Sequence, residues 1–106
     1  MTDLECLVSP AKERFQVWFY LLTELGVGYR ITSTCRTREE QAILYATYKA
    51  GKSKYPALAP GHSKHEKGLA VDVVFDGDVE LVIGVILARL LGLRWAGPRD
   101  EVHFEL

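Results

Sequence analysis

The stretch that decides the fold is Gly61-His62-Ser63-Lys64-His65-Glu66-Lys67-Gly68-Leu69-Ala70-Val71-Asp72. His65 and Asp72 are seven residues apart, so they share no helical face, and in one unbroken strand they would point to opposite sides. Their side chains can converge only if the chain turns between them, and Gly68 is suited to that turn. Residues 70–75 are then typical of a buried strand with one acidic side chain. A metal ion would offset the cost of burying that carboxylate.

The C-terminal segment supplies the rest of a candidate metal centre. The chain has three histidines, and one of them, His103, follows Asp100 by three residues. Zinc binds His nitrogen and carboxylate oxygen, and a catalytic zinc keeps three protein ligands and one open position. His65, Asp72 and His103 would form such a set, which predicts one Zn²⁺ ion. Asp100 would then be a free carboxylate beside the open position.

Two motifs carry a family resemblance. The pattern Ser63-x-His65-x-x-Gly68-x-Ala70-x-Asp72 is followed by Asp100-x-x-His103-Phe104-Glu105. This pair resembles the signature of the zinc D-alanyl-D-alanine carboxypeptidases and their relatives, which include the L-alanyl-D-glutamate endopeptidases of phage endolysins, lysostaphin-type enzymes and the hedgehog domain. The resemblance runs from about Thr32 to the C-terminus. It implies an α+β fold in which about three helices pack on a small, mostly antiparallel sheet, with the site on the open face of the sheet.

The resemblance also implies roles for residues around the metal. Arg36 lies in a Ser-x-x-Arg context that begins at Ser33. It is expected to stabilise the oxyanion or to grip a substrate carboxylate. Asp100 is expected to take a proton from the attacking water and to pass one to the leaving amine. Glu105 either hydrogen-bonds a ligand histidine or is an exposed strand residue, and both alternatives stay open.

Three further residues are candidates for the rim of the site. Ser63 occupies the motif serine and is expected to hold the loop on the substrate side without acting as a nucleophile. Tyr55 lies in the loop between Gly51 and Gly61 and is a candidate for the substrate groove. The glycine and proline around His62 argue against a helix that would place it beside His65. His62 is therefore predicted to hydrogen-bond a metal ligand or to face the substrate.

Apolar periodicity predicts three helices. Apolar residues recur at intervals of three and four between Pro10 and Leu25. The motif Thr37-x-x-Glu40 predicts a capping box that begins a second helix, which continues to about Lys49. Residues 79–91 are apolar nearly all round, which favours a third helix largely buried against the sheet. Strands are predicted at residues 29–34, 70–75 and 102–106.

Composition limits the remaining possibilities. The chain of 106 residues predicts a single domain, 1–106, and its net charge of −1 argues against a nucleic-acid partner. No segment has the length of a membrane span, and the N-terminus lacks the pattern of a signal peptide. We therefore expect a monomer that stays in the cytoplasm until it is released to act on the cell wall, with a virion component as an alternative. Cys6 and Cys35 are expected to be free thiols in such a chain.

The favoured hypothesis is a zinc metallopeptidase that hydrolyses stem-peptide amide bonds of bacterial peptidoglycan. The resemblance suggests a phage or prophage endolysin that cleaves between L-Ala and D-Glu. One alternative is a D-Ala-D-Ala carboxypeptidase or dipeptidase, and another is a non-catalytic zinc-containing binding module, against which Asp100 argues. Residues 96–98 read Ala-Gly-Pro where relatives often show paired glycines. The rim of the cleft, and with it the cleaved bond, therefore stays open.

Overall fold

Three helices and a four-stranded antiparallel sheet make up the computed structural model, which describes residues 1–106. The helices are α1 (Ala11–Glu24), α2 (Arg38–Lys49) and α3 (Asp78–Leu90), and the strands are β1 (Tyr29–Ser33), β2 (Ala70–Phe75), β3 (Arg94–Trp95) and β4 (His103–Glu105). The strand order is β1-β2-β4-β3, and every neighbouring pair is antiparallel. The predicted α+β class is confirmed. None of the helices combines the length and the apolar character needed to cross a membrane.

The sheet separates an apolar core from a polar cleft. Trp18 of α1 is fully buried, and its ring centroid lies 4.6 Å from that of Phe104 in β4. Its indole N–H donates to the Gly84 carbonyl of α3 at 3.0 Å, which joins the two helices on this face. The two neighbours of Asp72 in β2 are buried valines of the same core. Because side chains alternate along a strand, Asp72 points to the opposite face of the sheet.

Two capping boxes begin the elements on either side of the site. The predicted box at the start of α2 is confirmed: the Thr37 hydroxyl accepts the Glu40 N–H at 3.1 Å, and the Glu40 carboxylate accepts the Thr37 N–H at 2.9 Å. A second box, which the sequence analysis did not predict, begins the 3-10 turn Lys64–Lys67. Ser63 caps this turn, and the Glu66 carboxylate accepts the Ser63 N–H at 3.2 Å. The segment that carries His65 is therefore fixed at its start.

Helix α3 is less buried than its composition predicts. Its buried residues are Gly84, Val85 and Ala88. Its exposed apolar residues are Val79, Val82, Ile86 and Leu90, with exposed fractions of 68%, 55%, 52% and 78%. The prediction of a largely buried helix is wrong, because only one face of α3 packs against the sheet and α1 and no further layer of the chain covers the other.

The two cysteines form a disulfide, so the prediction of free thiols is wrong. Cys6 is bonded to Cys35. The prediction relied on the redox state of an unexported chain, whereas the fold brings the N-terminal 3-10 turn against the end of β1. The Thr34 hydroxyl also donates to the Asp3 carbonyl at 2.9 Å. The N-terminal segment is thus fixed to the strand that leads into the cleft.

Candidate metal centre

The sheet register and one turn bring three side chains together. Asp72 of β2 pairs directly with His103 of β4, and both side chains project from the face opposite the core. Gly68 has a left-handed φ of 70° and turns the chain between His65 and Asp72. The Arg36 N–H donates to the His65 carbonyl at 3.2 Å and so holds this turn against the end of β1. One nitrogen of each histidine and one oxygen of Asp72 lie within 4.8 Å of one another.

Each histidine forms a hydrogen bond through its outer ring nitrogen, the one that points away from Asp72. His65 Nδ1 lies 2.5 Å from the Thr34 carbonyl oxygen, which can only accept, so Nδ1 carries the hydrogen. His103 Nε2 lies 2.9 Å from Glu105 Oε1, and this carboxylate likewise requires a hydrogen on the nitrogen. The inner nitrogens, His65 Nε2 and His103 Nδ1, lie 3.1 and 3.3 Å from the same atom, Asp72 Oδ1.

This arrangement fits a cation. Neutral imidazoles with these tautomers direct two lone pairs at a carboxylate oxygen, which requires a positive charge between them. Burial alone would lower the pKa of His103, but its hydrogen bonds with Asp72 and Glu105 outweigh burial and raise that pKa, so a positive charge is favoured at this position. Tetrahedral zinc ligands lie about 3.3–3.4 Å from one another, given bonds of about 2.0–2.1 Å. The observed contacts of 3.1 and 3.3 Å are close to that spacing. Outer hydrogen bonds of this kind also orient ligand histidines.

Asp72 is ionised and held from two sides. Burial opposes its ionisation, but hydrogen bonds with His103 and His65 outweigh burial and hold the pKa of Asp72 far below its usual value. Its second oxygen, Oδ2, accepts from Arg36 Nη2 at 2.9 Å. Arg36 Nη1 in turn donates to Gln41 Oε1 at 3.2 Å. The carboxylate therefore offers one oxygen to the histidines while the other is fixed by Arg36.

The three converging side chains line a cleft of about 560 Å³. Asp100, Arg36, Tyr55 and Ser63 line the same cleft. Asp100 ends the short 3-10 helix Pro98–Asp100, and burial raises its pKa by disfavouring the charged form. A carboxyl group with a raised pKa thus lines the same cleft as the three candidate metal ligands.

The other residues predicted for the rim have distinct places. Ser63 is buried, and its hydroxyl accepts the His65 N–H at 3.2 Å, so it holds the turn and is not a free nucleophile. Tyr55 is half exposed in the cleft loop. His62 is exposed and is not among the residues that line the cleft, so nothing in the structure supports its predicted role. Of the two alternatives for Glu105, the hydrogen bond to the histidine of its own strand is observed.

Gln41 belongs to the site but was not predicted from the sequence. This residue of α2 is 1% exposed. While its Oε1 accepts from Arg36, its Nε2 donates to the Leu58 carbonyl at 2.8 Å. Gln41 therefore joins Arg36 to the loop that forms one wall of the cleft. The one available signal was its position in the helix, four residues after the capping residue Thr37.

The comparison with protein families agrees with this geometry. The model of the family VanY, D-alanyl-D-alanine carboxypeptidase, matches residues 5–85, well over half of the chain. The chain belongs to the VanY D-alanyl-D-alanine carboxypeptidase family. The predicted resemblance and the predicted peptidase class are confirmed. Within this VanY-family chain, the matched range includes Arg36, His65 and Asp72, whereas Asp100 and His103 lie outside it and reach the same cleft through the fold.

Solved structures share the fold. VanYB in complex with D-Alanine-D-Alanine is 21% identical, with a TM-score of 0.75 over 93% of this chain and 70% of that one. A variant of the vancomycin-resistance D,D-pentapeptidase VanY in complex with Zn(II) is also 21% identical, with a TM-score of 0.72 over 93% and 71%. The L-Ala D-Glu endopeptidase ChiX of Serratia marcescens is 20% identical, with a TM-score of 0.64 over 98% and 83%. A search of curated proteins finds no match.

Proposed function

We propose that this VanY-family chain is a zinc-dependent peptidase that cleaves stem peptides of bacterial peptidoglycan. The observation that carries the proposal is the convergence of His65, Asp72 and His103 in a cleft that Asp100 also lines. Three nitrogen and oxygen ligands with a separate carboxylate are the set needed for metal-assisted amide hydrolysis. The VanY relative solved with Zn(II) supports zinc as the metal.

The residues of the cleft have separate roles in the proposed amide hydrolysis. Zinc held by the three ligands would activate a water molecule and polarise the scissile carbonyl. Asp100 takes a proton from the attacking water as the water oxygen bonds to the carbonyl carbon. It then delivers that proton to the amine nitrogen as the C–N bond breaks. Arg36 holds Asp72 and adds positive charge near the carbonyl oxygen that becomes negative.

Two bonds are candidates for cleavage. The activity for which the family is named and the VanYB complex with D-Alanine-D-Alanine support the D-Ala-D-Ala bond. The similarity to ChiX over most of both chains supports the bond between L-Ala and D-Glu. An endolysin role requires the second bond, because removing a terminal D-alanine leaves the cross-linked wall intact. We take the carboxypeptidase activity as the first candidate and the endopeptidase activity as the second.

Digestion of purified peptidoglycan rich in pentapeptide stems tests the proposal. A carboxypeptidase releases free D-alanine, whereas an L-Ala-D-Glu endopeptidase releases peptides that begin with D-Glu, and mass spectrometry distinguishes them. A chelator should stop the reaction, and added zinc should restore it. Asp100→Asn is the matched control: it keeps all three metal ligands and should cleave neither bond. A zinc-loaded, folded protein that cleaves neither bond would contradict the proposal.

A further inference from the structure

The outer face of α3 carries a continuous apolar stripe. Its members are Val79, Val82, Ile86 and Leu90, each more than half exposed. Intervals of three and four residues place them on one face of the helix. Single exposed apolar residues are common on protein surfaces, but a stripe along a whole helix is typical of an interaction surface.

The stripe is complementary to itself in the antiparallel direction. A two-fold axis at the level of Gly84 would place Val79 against Leu90 of a second copy, and Val82 against Ile86 of that copy. Because the contact is isologous, each pair occurs twice. All four apolar residues of each copy would then be covered by apolar residues of the other.

The charged residues at the two ends of the stripe favour the same antiparallel register. Asp78 and Arg89 are eleven residues apart, about three helical turns, so they flank the stripe on the same edge at opposite ends. Both are exposed, and neither forms a salt bridge within the chain. The antiparallel register brings Asp78 of each copy beside Arg89 of the other. Glu80 lies on the other edge of the stripe. In this register Leu87 and Leu91 of the second copy, and no acidic residue, would lie opposite Glu80.

We propose that the outer face of α3 is a homodimer interface in which two copies pack antiparallel. This proposal replaces the monomer expected from the sequence and is independent of the proposed function. The contact lies on the far side of the sheet from the cleft, so both clefts stay open in the dimer. A helix of 13 residues is about 20 Å long. A contact between two such helices is smaller than the standard interface of about 800 Å² per partner, so the dimer should dissociate on dilution.

Sedimentation equilibrium over a range of about 1 μM to 1 mM measures the association. The wild type should shift from monomer to dimer within that range. Ile86→Glu places a charge in the middle of the stripe and should stay monomeric throughout. Ile43→Glu on α2, where Ile43 is 67% exposed, is the matched control and should dimerise like the wild type. Circular dichroism verifies that each variant is folded.

Charge exchange tests the register. Asp78→Arg and Arg89→Asp should each weaken self-association about tenfold, because each replaces two attractive pairs by two repulsive ones. Mixed together, the two single variants should form a heterodimer. If Asp78→Arg does not fold, because a cation at a helix N-terminus is unfavourable, Arg89→Asp and Ile86→Glu carry the test.

A wild type that stays monomeric over the whole range overturns the proposal. So does an Ile86→Glu variant that dimerises normally, or a mixture of folded charge variants without heterodimer. Peptidoglycan cleavage per chain should be the same in all these variants, because none of the changes touches the cleft. Failure of the dimer is therefore distinguishable from failure of the proposed peptidase.

Discussion

Arg36 Nη2 donates to Asp72 Oδ2 at 2.9 Å, while the other oxygen of Asp72 faces both histidines of the cleft. The side chains of Arg36 and Asp72 are 18% and 15% exposed, so water weakens this ion pair only in part. By holding one oxygen, Arg36 directs the other towards the candidate metal position. The resemblance implied oxyanion stabilisation or substrate binding for Arg36, and the observed contact adds the orientation of a ligand.

Arg36→Ala should therefore weaken zinc binding as well as catalysis. Loss of a residue that orients a metal ligand typically lowers metal affinity by about 10- to 100-fold. Competition with a chromophoric chelator measures the affinity. Arg38→Ala on the surface of α2 is the control and should bind zinc like the wild type. Unchanged zinc affinity in Arg36→Ala would show that Asp72 does not need this contact.

Asp100→Asn should abolish hydrolysis and keep the metal. Replacing a group that transfers protons typically lowers kcat by about 10²- to 10⁴-fold. The three proposed zinc ligands are untouched, so the zinc stoichiometry should stay at one. Steady-state kinetics on a synthetic stem peptide, with metal analysis of the same samples, measures both quantities. A variant with near-normal kcat and bound zinc would exclude Asp100 as the proton-transfer group.

The raised pKa of Asp100 has a consequence for stability. Burial disfavours the charged form of Asp100 in the folded protein. This lowers the free energy of unfolding at pH values above the raised pKa, and the loss disappears as the pH falls through that pKa. At neutral pH, Asp100→Asn should therefore not lower the melting temperature of the metal-free protein. Calorimetry at several pH values measures this. A clear loss of stability at neutral pH would mean that the charged form makes favourable contacts in the folded state.

Gln41→Met should reduce both stability and activity. The substitution removes the acceptor for Arg36 and the donor to the Leu58 carbonyl while nearly conserving volume, at a cost of about 1–2 kcal/mol. Gln41→Glu keeps an acceptor for Arg36 and should retain more activity than Gln41→Met. Denaturant unfolding and kinetics on the same variants separate the two effects. Equal activity in both variants would show that the contact with Arg36 is unimportant.

The disulfide should contribute to the stability of the domain. Cys6 and Cys35 are 29 residues apart, and closing such a loop stabilises a folded chain by about 3–4 kcal/mol. Cys6→Ser combined with Cys35→Ser should lose about this amount in urea unfolding. The wild type in a reducing agent should lose the same amount. A double variant as stable as the oxidised wild type would contradict the observed pairing.

Parts of the candidate metal centre could be predicted from the sequence because they are encoded locally, whereas the approach of His103 to His65 and Asp72 was implied only by the family resemblance. Gly68 between His65 and Asp72 requires a turn, and the turn is observed with the left-handed conformation that favours glycine. Side chains alternate along a strand, so the strand predicted at residues 102–106 has His103 and Glu105 on one face, and their hydrogen bond is observed there. Each of these inferences depends on a few neighbouring residues.

The features that were not predicted from the sequence depend on tertiary packing. The partners of Gln41 lie 5 and 17 residues away, on segments whose approach no local pattern specifies. The pairing of Cys6 with Cys35 depends on how the N-terminal turn meets β1. The apolar composition of α3 is equally typical of a helix that is covered on both sides. That α3 is covered on only one side depends on the number of layers in the fold, which the composition does not show.

A crystal structure of the zinc-loaded protein, with anomalous data collected at the zinc edge, is the most direct test of the proposed zinc site. We predict one strong anomalous peak, bonded to His65 Nε2, Asp72 Oδ1 and His103 Nδ1 and facing Asp100 across the cleft. A peak bound by other residues, or no peak at these three side chains in a zinc-saturated crystal, would contradict it.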